Sequence, residues 1–193
     1  MFYGECLLLQ NRPKDALLQF EETLRLGGLT YDEAGALVGL AKCLLELGRI
    51  DEAETALKKA VTLKQNHNID IAWNNLGDLF LKRGQQEKAL DCFKKAYKIN
   101  PTHPAINKSL AAILWKTGDI KGSIEVVHRL NDFDSYLSLG TCLMGEKMHE
   151  EGIDALQRAR ALNPEKEKAH QTLALAYVTV DRYDEALKSI QTA

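Results

Sequence analysis

A chain of 193 residues that is 45% hydrophobic is long and apolar enough to bury a substantial core. Its 25 basic and 27 acidic residues leave a formal charge of -2, which excludes a large single-sign field for drawing in nucleic acid or an anionic membrane. No stretch approaches the ~20 continuous apolar residues of a membrane span, and Met1 to Gln10, with Glu5 and no basic leader, does not read as a signal peptide. A cytoplasmic, reducing setting is the expectation. Cys6, Cys43, Cys92 and Cys142 are widely spaced without a CxxC pair, so they are expected to be reduced and packed rather than holding zinc.

Self-comparison divides the chain into six units of two helices each, with the first and last incomplete. The first, roughly 1–30, carries Gly4, Leu7, Ala16 and Phe20. The second, 31–68, repeats the frame with Leu37, Leu40, Ala41, Leu44, Gly48, Ala53, Leu57 and Ala60. The third, 69–102, is the fullest: Trp73, Leu76, Gly77, Phe80, Gly84, Ala89, Phe93, Ala96 and Pro101. The fourth, 103–132, has Leu110, Ala111, Leu114, Gly118, Ser123 and Val127; the fifth, 133–165, has Tyr136, Leu139, Gly140, Leu143, Gly152, Leu156, Ala159 and Pro164. The sixth, 166–193, has Leu173, Ala174, Tyr177, Ala186, Ile190 and Ala193. Small residues let two helices approach, and large ones fill the space between units. Gly48, Gly84 and Gly118 fall at the turns inside units, and Asn100-Pro101 and Asn163-Pro164 stop second helices. Longer inter-unit loops are expected near Gly27 to Thr30 and Gln65 to Asn68, and a shortened second helix ending near Asn131-Asp132.

The ordered set in the third unit, with its 34-residue period, closely resembles the tetratricopeptide repeat, and the resemblance runs along essentially the whole chain. It implies a single all-α domain over 1–193, an α-solenoid of antiparallel helix pairs wound as a right-handed superhelix. With no polar helix closing either end, the chain reads as a fragment of a longer array.

In that family the first helices of successive units line a concave groove that takes an extended peptide or a partner helix. Carried onto this sequence, the groove-facing candidates are Lys42, Asn75, Asp78, Lys82, Lys108, Ser109, Trp115 and Lys116. A solvated helix surface is the alternative reading for the charged ones, and a core wedge for Trp115; Trp73 stands at the family's packing anchor. Co-chaperones of the family grip a terminal carboxylate with lysine, asparagine, asparagine, lysine and arginine. Here only Asn75 agrees: Val38 and Lys42 replace the first pair, Ala105 and Ser109 the last, so that clamp is expected to be absent. The asparagine ladder of the O-linked sugar transferase is reduced to one rung, with Gly39, Asn75, Ser109, Ser138 and Thr172 in its places. Lys42, Lys82, Lys108 and Lys116 outnumber Glu46 and Asp78, which makes an acidic peptide the expected ligand.

His67, His103, His128, His149 and His170 form no metal-ligand spacing, and no phosphate loop, nucleophile elbow or Cys-His arrangement appears. No catalytic residue, cofactor or metal is expected. The reading is a non-catalytic interaction scaffold or adaptor with a protein partner, neither nucleic acid nor a membrane. The alternatives are a regulatory or substrate-recruiting arm of a larger enzyme, or a structural repeat that self-associates through uncapped ends.

Overall fold

Apolar residues recurring at helical spacing, broken by short turn sequences, leave the backbone one economical solution, the helix hairpin. The computed structural model describes residues 2–27, 32–63 and 68–191, and among them are twelve helices and no strand. They are α1 Phe2–Leu9, α2 Pro13–Leu26, α3 Glu33–Glu46, α4 Ile50–Thr62, α5 Ile69–Lys82 and α6 Gln86–Ile99. There follow α7 Pro104–Lys116, α8 Ile120–Leu130, α9 Phe133–Gly145, α10 His149–Leu162, α11 Glu167–Thr179 and α12 Tyr183–Gln191. Two compact units result, Met1–Thr117 and Gly118–Ala193. None of the described helices is long and apolar enough to cross a membrane. Most of the expected loops at Gly27 to Thr30 and Gln65 to Asn68 lies outside the described residues.

Every turn between the helices of a hairpin is three residues long, and its middle residue has a positive φ: Asn11, Gly48, Gly84, Gly118, Lys147 and Asp181. The residue after it closes the helix end. The N–H groups of Arg12, Arg49, Gln85, Met148 and Arg182 donate to the carbonyls of Leu7, Leu44, Phe80, Leu143 and Tyr177 at 2.8 to 3.0 Å. Each bond reaches five residues back, the Schellman arrangement that satisfies orphan carbonyls. Glycine holds this conformation without steric cost at Gly48 (φ 76) and Gly84 (φ 73), whereas Lys147 (φ 63) adopts it at a cost of about 1–2 kcal/mol.

Small residues on first helices face large ones on second helices. A Cβ added at Gly77 would lie 2.6 Å from Phe93, and one at Gly140 would lie 2.6 Å from the side chain of Leu156. Phe20 is wedged between Gly4 and Gly39, and so ties the first repeat to the second. The large residue of the frame is buried at Phe20, Leu57, Phe93 and Leu156.

Polar residues close the repeat boundaries. The Asp32 carboxylate caps α3 by accepting from the N–H of Gly35 at 2.8 Å, and also accepts from the Asn68 amide at the start of α5. Asn100, just past α6, donates to Asp70 in α5 at 2.8 Å. Arg83 reaches across to Asp51 and Glu54 of α4. In the second unit α8 is short, 11 residues, and ends on Asn131 in the left-handed conformation (φ 51, ψ 46). Asp132 then caps α9 through the N–H of Ser135 at 3.1 Å.

Candidate functional site

Three first helices of the unit Met1–Thr117 lie side by side, with α3 against α5 and α5 against α7. Helical neighbours recur every fourth residue, so each helix carries a line of side chains. The lines are Val38, Lys42 and Glu46 on α3; Asn74, Asp78 and Lys82 on α5; and Lys108, Ala112 and Lys116 on α7. Because the three helices are successive copies of one repeat, the lines fall in step. Lys42, Glu46, Lys82, Lys108 and Lys116 are exposed, Asp78 is half-buried, and Val38 and Asn74 are buried. A parallel row, Leu45, Leu81 and Trp115, is apolar and half-buried throughout. Asn75 and Ser109 are half-buried in a third row.

All eight residues singled out from the sequence therefore lie on α3, α5 and α7. Asn74, Leu45 and Leu81 were not singled out, although their positions in the frame match those of Lys108 and Trp115. Asn74 donates through Nδ2 to Asp78 Oδ2 at 3.3 Å, so it orients the only carboxylate of its line. Burial pushes the Asp78 carboxyl above its ordinary range, and the nearby Lys82 ammonium opposes the shift.

The sign of that shift gives a test. A carboxyl whose folded pKa lies above its unfolded value is ionised at a cost at neutral pH, and the cost disappears as pH falls through the folded value toward the unfolded one. Asp78→Asn is therefore expected to raise the urea midpoint at pH 7 and to leave it unchanged near pH 3. A lower midpoint at pH 7 would show that Asp78 is held by favourable contacts instead.

A second kind of concavity lies on the outer side of the hairpins. Trp73 belongs to it. Between α4, α5 and α6 a cavity of about 530 Å³ is lined by Lys58, Trp73, Phe80, Lys88, Asp91 and Cys92, among others. The Lys95 ammonium sits 4.4 Å from the Trp73 ring centroid, and Lys88 lies 5.6 Å from that of Phe80. Smaller cavities of about 300 and 310 Å³ occupy the matching place between α2, α3 and α4 and between α8, α9 and α10.

Two buried polar residues occupy the register of Trp73 in other repeats. Asn107, 2% exposed, donates to the carbonyl of Pro101 at 3.0 Å. His170, 3% exposed, places Nε2 2.7 Å from the carbonyl of Pro164 and Nδ1 3.1 Å from that of Ser189. Both tie a first helix to the proline turn that precedes it.

The four cysteines are free: Cys43 and Cys92 are buried and their thiols are pushed up to about 11 chiefly by desolvation, while Cys6 and Cys142 are exposed. Among the described residues no group of three or more His, Cys, Asp or Glu could hold a metal ion.

A family model for the tetratricopeptide repeat matches residues 32–102, which span α3 to α6 and the turn after them. BBSome complex member BBS4 of Bos taurus is 22% identical over 226 residues, covering 97% of this chain and 42% of its own length. Anaphase-promoting complex subunit 3 of Schizosaccharomyces pombe is 23% identical over 195 residues, covering 98% of this chain and 29% of its own length. The chain thus spans less than half the length of these curated relatives. The solved structure of MamA residues 41 to the end from Desulfovibrio magneticus RS-1 superposes with a TM-score of 0.62 at 26% identity, covering 83% of this chain and 92% of that one. Residues 32–102 match the tetratricopeptide repeat, and the recurring hairpins with their small-against-large packing carry the same all-α repeat fold through the described residues.

Proposed function

We propose that this chain is a non-catalytic scaffold whose α3–α5–α7 face holds an extended acidic segment of a partner protein. The observation that carries the reading is the set of exposed lysines on that face, Lys42, Lys82, Lys108 and Lys116, flanking the half-buried apolar row Leu45, Leu81 and Trp115. An apolar row on a face where these four lysines outnumber Glu46 and Asp78 suits a ligand with one aromatic or aliphatic anchor among carboxylates. Asn75 and Ser109 add hydrogen-bonding groups for its main chain. Both relatives are named as members of multi-protein complexes, which agrees with a role in assembly. Four free thiols agree with a reducing compartment.

The test is fluorescence anisotropy with a labelled glutamate- and aspartate-rich peptide bearing one central aromatic residue. The wild type is expected to bind it, more weakly as salt rises. The triple variant Lys42→Glu/Lys82→Glu/Lys116→Glu, checked for unchanged helicity by circular dichroism, is expected to lose at least about tenfold in affinity. Equal binding by the two proteins would remove this face as the site.

A further inference from the structure

The three outer cavities sit at equivalent places in the repeat, so their linings can be compared residue by residue. One constant spacing relates the cavity at α4, α5 and α6 to that at α8, α9 and α10: Leu76 matches Leu139, Phe80 matches Leu143, Glu87 matches Glu150, Asp91 matches Asp154 and Cys92 matches Ala155. The apolar floor and two acids are retained. What changes is the basic half of the rim. Lys88 is replaced by Glu151, and Lys58, which follows the buried Leu57 of α4, is replaced by His128, which follows the buried Val127 of α8. The first cavity is lined by two lysines and two acids; the second by three acids with no lysine or arginine. The third, between α2, α3 and α4, is again balanced, with Glu21 and Glu52 against Arg49 and Lys59.

We infer that the groove between α8, α9 and α10 docks a cationic amphipathic segment of a partner protein, one that sets an aliphatic side chain on the floor and lysine or arginine against the rim. The floor is Ile124, Leu139, Leu143 and Ala155, and the cavity of about 310 Å³ admits one or two aliphatic side chains. The rim carboxylates remain within reach of an incoming cation. Asp154 is paired with Arg158 at 2.9 Å but its side chain stays 56% exposed; Glu150 is 79% exposed and only 3.6 Å from Arg182. Glu151, exposed, has no ion-pair partner among the described residues. His128 stacks edge-on against Tyr136, with ring centroids 5.5 Å apart, and Arg158 lies 5.9 Å over the same ring. His128 is thus turned onto an aromatic and lies 3.4 Å from Arg158, while Arg158 and Arg182 engage Asp154 and Glu150 and leave Glu151 as the rim carboxylate with no ion pair among the described residues. Charge complementarity selects a basic partner here, opposite in sign to the ligand of the α3–α5–α7 face, so the two sites discriminate between partners.

The full chain is titrated by isothermal calorimetry with a short leucine–lysine amphipathic peptide, and with its leucine–glutamate counterpart as the control. Binding of the lysine peptide, weakening with salt, and no binding of the glutamate peptide are expected. Glu151→Lys, which puts back one of the two lysines of the first cavity, and Glu150→Gln/Glu151→Gln are each expected to weaken binding by roughly tenfold while thermal stability and helicity hold. Lys42→Glu/Lys82→Glu/Lys116→Glu, which disables the other face, is expected to leave the lysine-peptide affinity unlowered. Amide shifts on binding are expected in α8, α9 and α10. Unchanged affinity in the rim variants, equal binding of the glutamate peptide, or shifts confined to α3, α5 and α7 would overturn the inference. So would concentration-dependent association of the free chain in sedimentation that Glu151→Lys abolishes, since the occupant would then be a second copy.

Discussion

Phe93→Ala is expected to cost about 3–5 kcal/mol of stability in the unit Met1–Thr117, read as an earlier urea midpoint with loss of amide protection in α5 and α6. Phe93 is fully buried, and its ring lies where a Cβ on Gly77 would come within 2.6 Å. The two positions are halves of one contact. Gly77→Val is therefore expected to cost about 3 kcal/mol, because the ring cannot swing into solvent and α5 and α6 must separate. The double variant should cost much less than the sum. Valine fills part of the hole left by the ring, which gives a coupling on the order of 1–3 kcal/mol. Strictly additive losses, or a Gly77→Val loss below about 1 kcal/mol, would mean that the helices part easily at this point. Each repeat rests on its neighbours, so exchange at α3 and α4 should also quicken.

The second large effect is expected at His170. Its two ring nitrogens face the carbonyls of Pro164 and Ser189, on the turn before α11 and in the last turn of α12. Leucine has comparable bulk and no donor. His170→Leu removes the imidazole N–H from between the carbonyls of Pro164 and the buried Ser189, at a cost of about 1–3 kcal/mol. The loss should appear as faster amide exchange in α11 and α12 with α3 to α6 unchanged. His170→Asn separates hydrogen bonding from packing. Asn107 in the same register shows that an asparagine amide reaches the matching proline carbonyl, at 3.0 Å from Pro101, so this variant should recover part of the loss. If leucine is as stable as histidine, the ring serves only as filler.

Much of the hairpin architecture was legible in the residue spacing. Leu76, Gly77, Phe80, Ala89, Phe93 and Ala96 belong to one hairpin and its immediate stack, so the pattern that specifies them needs no knowledge of distant chain. The turns at Gly48, Gly84 and Gly118 were legible for the same reason, since a left-handed backbone at a fixed place between two helices selects glycine locally. Asn11 and Asp181 take the same conformation on the weaker signal of side chains that tolerate it, and Lys147 takes it with no signal, because the hydrogen bond that closes the helix end outweighs a modest strain. The rows of the α3–α5–α7 face followed from the frame, yet only the fold showed that Asn74 is buried against Asp78 and that Leu45 and Leu81 extend the Trp115 row.

The all-α repeat, its period and the place of its small and large packing residues are written in the residue pattern, because each depends on contacts within a repeat or with the next one. The partners of the polar groups emerge with the packed fold. Asn107 and His170 stand where the frame offers tryptophan, and their carbonyl partners become apparent only once the proline turns are in place. Lys58 and His128 acquire meaning only when a second helix of one repeat is laid against the hairpin of the next. A polar side chain's role depends on which group comes within hydrogen-bond or Coulomb reach across a repeat boundary, and hydrophobic periodicity carries no information about that.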